Sequence, residues 1–348
     1  MVNLIVCWTS IILLFSTLAF IVLKQIFEEI LMASKIQQIS VFLKSQIIII
    51  AVLLGTGLAL IIPDTAESLR QTGMTPWLIA TVFLCQGLAL NPQEKMNWAQ
   101  DSKITTTAIL CSLLIFPCLA AMVLKAFEFE MNYHVGLMLI SCMPCTLVSG
   151  IVISGLAGGD RRAALFITIG ANCAAVLIAP PMIKYHLGAT TSIDTVKLMQ
   201  NLLFTVFIPA LSGWSLRRKL NSLLKNYQAI YKYLPVACLA TVMFVNTGRQ
   251  KEAIFNGKID LVLMAILFSL IIHLSTLGIF YRFTKQMNFS VAQCRSFSIC
   301  CSQKTLPLTI AIWSETFAKH YPAAIIAAMI YHLVQIYSDG LIARRWSK

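Results

Sequence analysis

Long apolar runs are the feature that most constrains this fold. Eleven runs of about 20 residues are almost wholly apolar, and a helix of that length crosses a hydrocarbon core of about 30 Å. The first run covers Val2 to Leu23, and the others centre near Val52, Phe83, Leu114, Val148, Ala171, Phe207, Leu239, Phe268, Gln303 and Ile330. At 58% hydrophobic and 12% charged residues, the chain lacks the polar surface of a water-soluble protein. We predict an all-α polytopic membrane protein with ten core transmembrane helices in residues 34–348.

The first apolar run lies apart from this core, in a hydrophobic segment at residues 1–33. It has no basic residue before it and no small-residue cleavage site after it, so a removed signal peptide is not predicted. Two interpretations stay open. The run is an eleventh span with an outside amino terminus, or the true start is Met32 and the upstream run is an artefact.

The net charge of +13 belongs to loops between the apolar runs. Nucleic acid is not an expected partner, because the basic residues are scattered and form no phosphate-binding face. Counted over alternate loops, 18 Lys and Arg fall on one side and 8 on the other. The positive-inside rule therefore predicts a cytoplasmic carboxyl terminus, in a plasma membrane or a bacterial inner membrane.

Two of the predicted spans carry helix-breaking residues at membrane depth. Lys304 is the one formal charge in the middle of a span, and Pro307 follows it. Pro144 and Gly150 interrupt an earlier span. A charge at this depth costs roughly 2.5–3.5 kcal/mol even on lenient insertion scales, so it normally serves ion or substrate handling. The pattern is typical of membrane transport.

The two broken spans occupy matching positions, as the fourth of five in each half of the core. Because five is odd, the halves, at about 40–186 and 195–346, must have opposite topology. This arrangement predicts two inverted five-helix repeats with discontinuous helices 4 and 9, and a binding site where those helices meet.

Broken helices offer amino-terminal N–H groups to an anion and carboxyl-terminal carbonyls to a cation. A small organic anion with a coupled cation, sodium or proton, is the expected cargo, and the lipid bilayer is the other expected partner. Lys304 is interpreted as a tethered cation in a sodium position or as a proton carrier. The remaining candidate binding residues are Ser112, Thr146, Ser149, Thr168, Asn172, Gln303, Thr305, His332 and Gln335. His332 and Gln335 share one helix face and are expected chiefly to hydrogen-bond between helices.

Several motifs carry a resemblance to a known family. They are Cys-Met-Pro at 142–144, Gly-Gly-Asp-Arg-Arg-Ala-Ala at 158–164, Phe-Ile-Pro at 207–209, Cys-Cys-Ser-Gln-Lys-Thr-Leu at 300–306 and Tyr-His-Leu-Val-Gln-Ile at 331–336. Over about residues 36–348 the chain resembles the bile acid:sodium symporter family. It is most similar to the divergent orphan branch that has Cys-Ser-x-x-Lys-Ser/Thr-Leu and Tyr-His-x-x-Gln motifs.

The resemblance implies a panel domain of spans one, two, six and seven and a core domain of the other six. It places Ser149 and Thr168 at sodium ligands, and puts Gly150 where other members have asparagine. Cys300 falls at the family's glutamate, Lys304 at a glutamine, and Ser112 at about a second glutamine. For the orphan branch it implies an unidentified substrate and, in eukaryotes, a role in restraining calcium entry.

We predict a secondary transporter that moves a small organic anion by alternating access and uses no cofactor. A membrane regulator of calcium that transports nothing is one alternative, and a homodimer is a further candidate assembly. An intramembrane enzyme is the other alternative. It is not expected, because the spans lack a Gly-x-Ser-x-Gly elbow, a His-Glu-x-x-His motif and paired aspartates.

Overall fold

A computed structural model describes residues 47–90, 98–147, 149–188, 193–219, 228–247 and 259–346, and all regular structure in these ranges is helical. The helices are α1 Ile47–Ile61, α2 Pro63–Arg70, α3 Thr75–Ala89, α4 Trp98–Leu110, α5 Phe116–Leu124, α6 Met131–Ser141, α7 Ser149–Leu156, α8 Arg161–Leu187, α9 Thr195–Leu202, α10 Ile208–Lys219, α11 Gln228–Thr247, α12 Ile259–Gln286, α13 Val291–Ser302, α14 Leu306–Ile312 and α15 Ala324–Trp346. Single π-helical turns at Cys111–Ile115, Leu203–Phe207 and Trp313–Phe317 follow α4, α9 and α14. The segment 1–33, and with it the choice between an added span and an upstream start, lies outside the described residues.

Several helices are long and apolar enough to cross a membrane. Five meet both criteria: Asp101–Leu124, Arg161–Leu187, Thr195–Arg217, Ile259–Gln286 and Ala324–Trp346. The pair Ile50–Ile61 and Pro63–Arg70 makes a sixth if counted as one span, bent by 107°. The bend falls where Pro63 starts α2, since proline cannot donate the backbone hydrogen bond that would continue α1. The described chain is that of a polytopic helical membrane protein.

The helices pack in two groups. In the first, α1 contacts α11 and α3 contacts both α10 and α11. In the second, α13 contacts α12, α8 and α7, while α15 contacts α6 and α12, and α4 contacts α8. The interrupted pairs α6 with α7 and α13 with α14 pack mainly against long helices of the second group, and α14 also contacts α3 and α11 of the first.

Glycine allows the closest of these approaches. A Cβ at Gly87 of α3 would collide with the Ala210 backbone of α10, and a Cβ at Gly213 of α10 would collide with the Leu84 backbone of α3. Gly136 of α6 makes the same kind of contact with Ala324 of α15. Small residues at such positions let helix backbones touch, which is how helices associate where lipid supplies no hydrophobic drive.

Short turns hold the second group together at the end of α7. Gly158 has a φ of +67°, which favours glycine and reverses the chain after α7. Asp160 then caps α8 by accepting hydrogen bonds from the Arg162 and Ala163 amides at 3.0 and 3.1 Å. Ser296 of α13 donates to the Asp160 carbonyl at 2.8 Å. The turn after one broken helix is thus fixed to the start of the other.

Candidate functional site

The two broken helices meet at what we call the crossing, which comprises residues 142–147 and Ser149 of the first and residues 303–305 of the second. α6 ends at Ser141 and α13 ends at Ser302, and the Thr305 amide donates to the Pro144 carbonyl across the gap at 2.9 Å. Pro144 lies inside the first break, whereas Pro307 lies in the first turn of α14, where proline is tolerated. Gly150 is the second residue of α7, so it follows the first break rather than forming it.

Lys304 is fully buried at the crossing. Its ammonium donates to the Ser112 carbonyl at 2.7 Å and lies 3.1 Å from the Ser112 hydroxyl oxygen. The Lys304 nitrogen also lies 3.9 Å from the centre of the Phe116 ring. An ammonium has three N–H donors, and these contacts give it two oxygens and the negative face of an aromatic ring.

The Ser112 carbonyl is available because the chain is π-helical there. The Phe116 amide, which would serve it in an α-helix, bonds to the Cys111 carbonyl instead. The next residue, Pro117, has no amide hydrogen to offer. The π-turn therefore creates a free acceptor at membrane depth, which the lysine occupies.

The backbone of Lys304 is satisfied by α15 instead of by a helix of its own. The Gln335 amide oxygen accepts from the Lys304 N–H at 2.8 Å, and its Nε2 donates to the Lys304 carbonyl at 2.7 Å. The same Nε2 lies 2.8 Å from His332 Nδ1, and that ring nitrogen lies 3.3 Å from the Lys304 carbonyl. Gln335 thus replaces two hydrogen bonds that the break removes.

Three buried oxygens of the crossing have no hydrogen-bond partner: Thr146 Oγ1, Ser149 Oγ and Gln303 Oε1. Gln303 is fully buried, and its oxygen points toward Gly150, where a Cβ would lie 3.3 Å away. Buried polar atoms in native proteins are nearly always paired, so each of these oxygens is a candidate contact for a water, a ligand or an ion. The unpaired oxygens come from both broken helices.

Two further residues of the predicted set border this point. Asn172 of α8 donates to the Cys145 carbonyl at 2.9 Å and to the Thr168 carbonyl at 2.8 Å. The Thr168 hydroxyl donates within its own helix to Ala164 and Leu165, both at 2.9 Å. Asn172 therefore fixes the first break against α8, and the Thr168 oxygen keeps only its lone pairs for a ligand.

Sequence reasoning missed two residues of this site. Asp339, near the carboxyl end of the last apolar run, is fully buried and accepts from Gln303 Nε2 at 2.7 Å. His273, in the apolar middle of α12, is fully buried and lies 2.9 Å from Asp339 through Nε2. The available signal was spacing, because Asp339 lies four residues after Gln335 on the same helix face.

The crossing is rich in neutral oxygens. Among the described residues, no cluster of three or more His, Cys, Asp or Glu side chains is placed to hold a metal ion. A cation here would depend on hydroxyl, amide and carbonyl oxygens, which suit a hard ion of low charge. The arrangement brings one buried amine, that of Lys304, and a set of unpaired oxygens to the same two broken helices.

Comparison with known proteins adds the family. The sequence pattern of the SBF-like CPA transporter family matches residues 46–348. The probable sodium/metabolite cotransporter BASS4, chloroplastic, of Arabidopsis thaliana is 22% identical over 311 residues, which are 85% of this chain and 71% of that protein. The sodium/bile acid cotransporter 7-B of Xenopus laevis is 23% identical over 269 residues, 74% of this chain and 78% of that protein. The rat sodium/bile acid cotransporter 7 is 24% identical over the same coverage.

Proposed function

Because the chain belongs to the SBF-like CPA transporter family, we propose that it is a secondary active transporter that moves a small organic anion across a membrane together with a cation. Membership of a transporter family makes the chain a carrier rather than an enzyme. The relatives' names, sodium/metabolite and sodium/bile acid cotransporter, favour sodium over a proton as the coupling ion.

The crossing is the observation that carries this proposal. It combines a buried ammonium at Lys304 with buried oxygens of Thr146, Ser149 and Gln303 that lack partners. The ammonium suits the carboxylate of a small organic anion. The oxygens suit a sodium ion, for which Ser149 and Thr168 are the predicted ligands.

Alternating access needs two bodies that move relative to each other. The two packing groups supply candidates: α1, α3, α10 and α11 as the panel, and the helices around the crossing as the core. We propose that these are the two domains, and that the chain forms ten spans in two inverted repeats. Rocking of the core against the panel would open the crossing to each side in turn. The carboxyl terminus is proposed to lie in the cytoplasm.

Uptake into proteoliposomes tests the proposal. The purified protein is reconstituted and given an inward sodium gradient with labelled organic anions, bile acids and short carboxylates among them. Uptake that requires sodium and collapses when the gradient is dissipated is the expected result. The matched control is the same vesicle with choline in place of sodium. Uptake of no anion, with calcium permeability altered instead, would contradict transport and favour a regulator.

A further inference from the structure

A buried His–Asp pair lies behind the crossing. His273 of α12 and Asp339 of α15 are both fully buried, with Nε2 and Oδ1 2.9 Å apart. The other ring nitrogen, Nδ1, lies 3.3 Å from the Ser302 carbonyl, which is free of helical bonding because α13 ends there. The Tyr331 hydroxyl donates to that same carbonyl at 3.2 Å. The pair therefore joins two long helices to the second break.

The pair also holds Gln303. At 2.9 Å, one proton shared between His273 Nε2 and Asp339 Oδ1 accounts for their contact. The other carboxylate oxygen, Oδ2, lies 2.7 Å from Gln303 Nε2 and accepts its hydrogen bond.

The Asp339 contact sets the orientation of the Gln303 amide. Only the Nε2 end of that amide can donate to a carboxylate oxygen. The opposite amide atom, Oε1, then faces Gly150, where an added Cβ would lie 3.3 Å from it. Without Asp339 the amide is free to rotate by 180°, which would present N–H groups to the crossing and repel a cation.

We propose that Asp339 and His273 are positioning residues that hold Gln303 with its oxygen toward the cation at the crossing. This rests on the proposed function, since it assumes that a cation binds there. The unpaired and fully buried Gln303 Oε1, which faces Gly150, is the observation that points to a ligand. Replacing a residue that hydrogen-bonds to an ion ligand and orients it typically changes the ion affinity by 10- to 100-fold.

Sodium-dependent thermal stability of the purified protein tests this role. The melting temperature is followed against sodium chloride, with choline chloride keeping the ionic strength constant, to obtain the half-saturating sodium concentration. Asp339→Asn is the discriminating variant, because its amide nitrogen donates to His273 and its oxygen still accepts from Gln303. The double variant Asp339→Leu with His273→Leu removes the pair, and such apolar replacements often keep or raise stability. Ser269→Ala on α12, which loses only a bond to its own helix, is the control.

We expect Asp339→Asn and Ser269→Ala to keep the sodium response of the wild type. The Leu double variant should raise the half-saturating sodium concentration by at least about tenfold. A double variant with wild-type sodium affinity would overturn the positioning role alone. Loss of the response in a folded Asp339→Asn protein would also overturn it, because charge rather than orientation would then matter. A wild-type protein that ignores sodium would contradict both the sodium coupling and this inference.

Discussion

At the residue scale, Lys304 stands out because, among the described residues, no carboxylate contacts its side chain. Two oxygens of Ser112 and the Phe116 ring face hold it, so an anion must displace one of these contacts to reach it. Lys304→Met keeps a long apolar stem and removes the charge. We expect sodium-driven anion uptake to fall by more than about tenfold, the equivalent of one lost charged hydrogen bond of about 1.4 kcal/mol.

Lys103→Met is the matched control for that uptake measurement, because Lys103 lies over the Phe289 ring, away from the crossing. Wild-type uptake by Lys304→Met would show that the buried charge is structural.

Gln335 is the residue whose loss should most weaken the second break. Gln335→Leu removes both hydrogen bonds to the Lys304 backbone and leaves an N–H and a carbonyl buried. Each such loss costs about 1–2 kcal/mol, so we expect a destabilisation of about 2–4 kcal/mol in equilibrium unfolding. The stability of Gln335→Glu should lie between those of the wild type and Gln335→Leu, since a carboxylate accepts from the Lys304 amide but cannot donate to its carbonyl. Equal stability of all three proteins would be inconsistent with this role.

Single residues also mark where sequence reasoning ended. A lysine in an apolar run can be recognised from the sequence, because the hydropathy of its neighbours is enough to identify it. Asp339 was missed because it lies close to the end of its apolar run, and its burial against His273 of α12 depends on helix packing. The three unpaired oxygens were candidates by residue type, but that they lack partners is known only once every neighbour is placed.

At the scale of the helix, close contacts at glycine should control stability. Gly136→Ala places a Cβ against the Ala324 backbone of α15, and backbone can yield only by separating the helices. We expect a loss of about 1–3 kcal/mol, as for other overpacked sites, measured by thermal unfolding in detergent. Gly278→Ala on α12 meets nothing within 4 Å and should instead gain about 0.5–1 kcal/mol from helix propensity. A neutral Gly136→Ala would argue against a tight α6–α15 contact.

The sequence predicted that these segments are helical far better than it predicted where each helix begins and ends. Runs of apolar residues predicted an all-helical membrane protein, and the described chain confirms that class. The second break falls at 303–305, just before Pro307, because proline starts α14 rather than ending α13. The π-turn at Cys111–Ile115 was not predicted, although Pro117 was a signal for it. Proline has no backbone N–H, so a carbonyl about one helical turn before it loses its donor.

At the scale of the whole molecule, the charge distribution predicts sidedness. The excess of Lys and Arg in alternate loops predicts that the carboxyl terminus lies in the cytoplasm. An epitope tag after residue 348 should be reached by antibody only in permeabilised cells. A tag in the turn between α5 and α6, two helices whose connection lies on the opposite side of the proposed topology, is the matched control and should be reached in intact cells. The reverse pattern would invert the proposed topology.

The contacts of Lys304 also bear on how the membrane voltage acts. A lysine in the binding site is a cation that remains with the protein through the whole cycle, so it adds no net charge to each turnover. With one sodium ion accompanying one monovalent anion, the travelling charges cancel. The membrane potential contributes about 2.3 kcal/mol per 100 mV only to uncompensated charge. Such a carrier would accumulate its cargo as far as the sodium ratio allows, equally in a strongly polarised membrane and in one that holds almost no voltage.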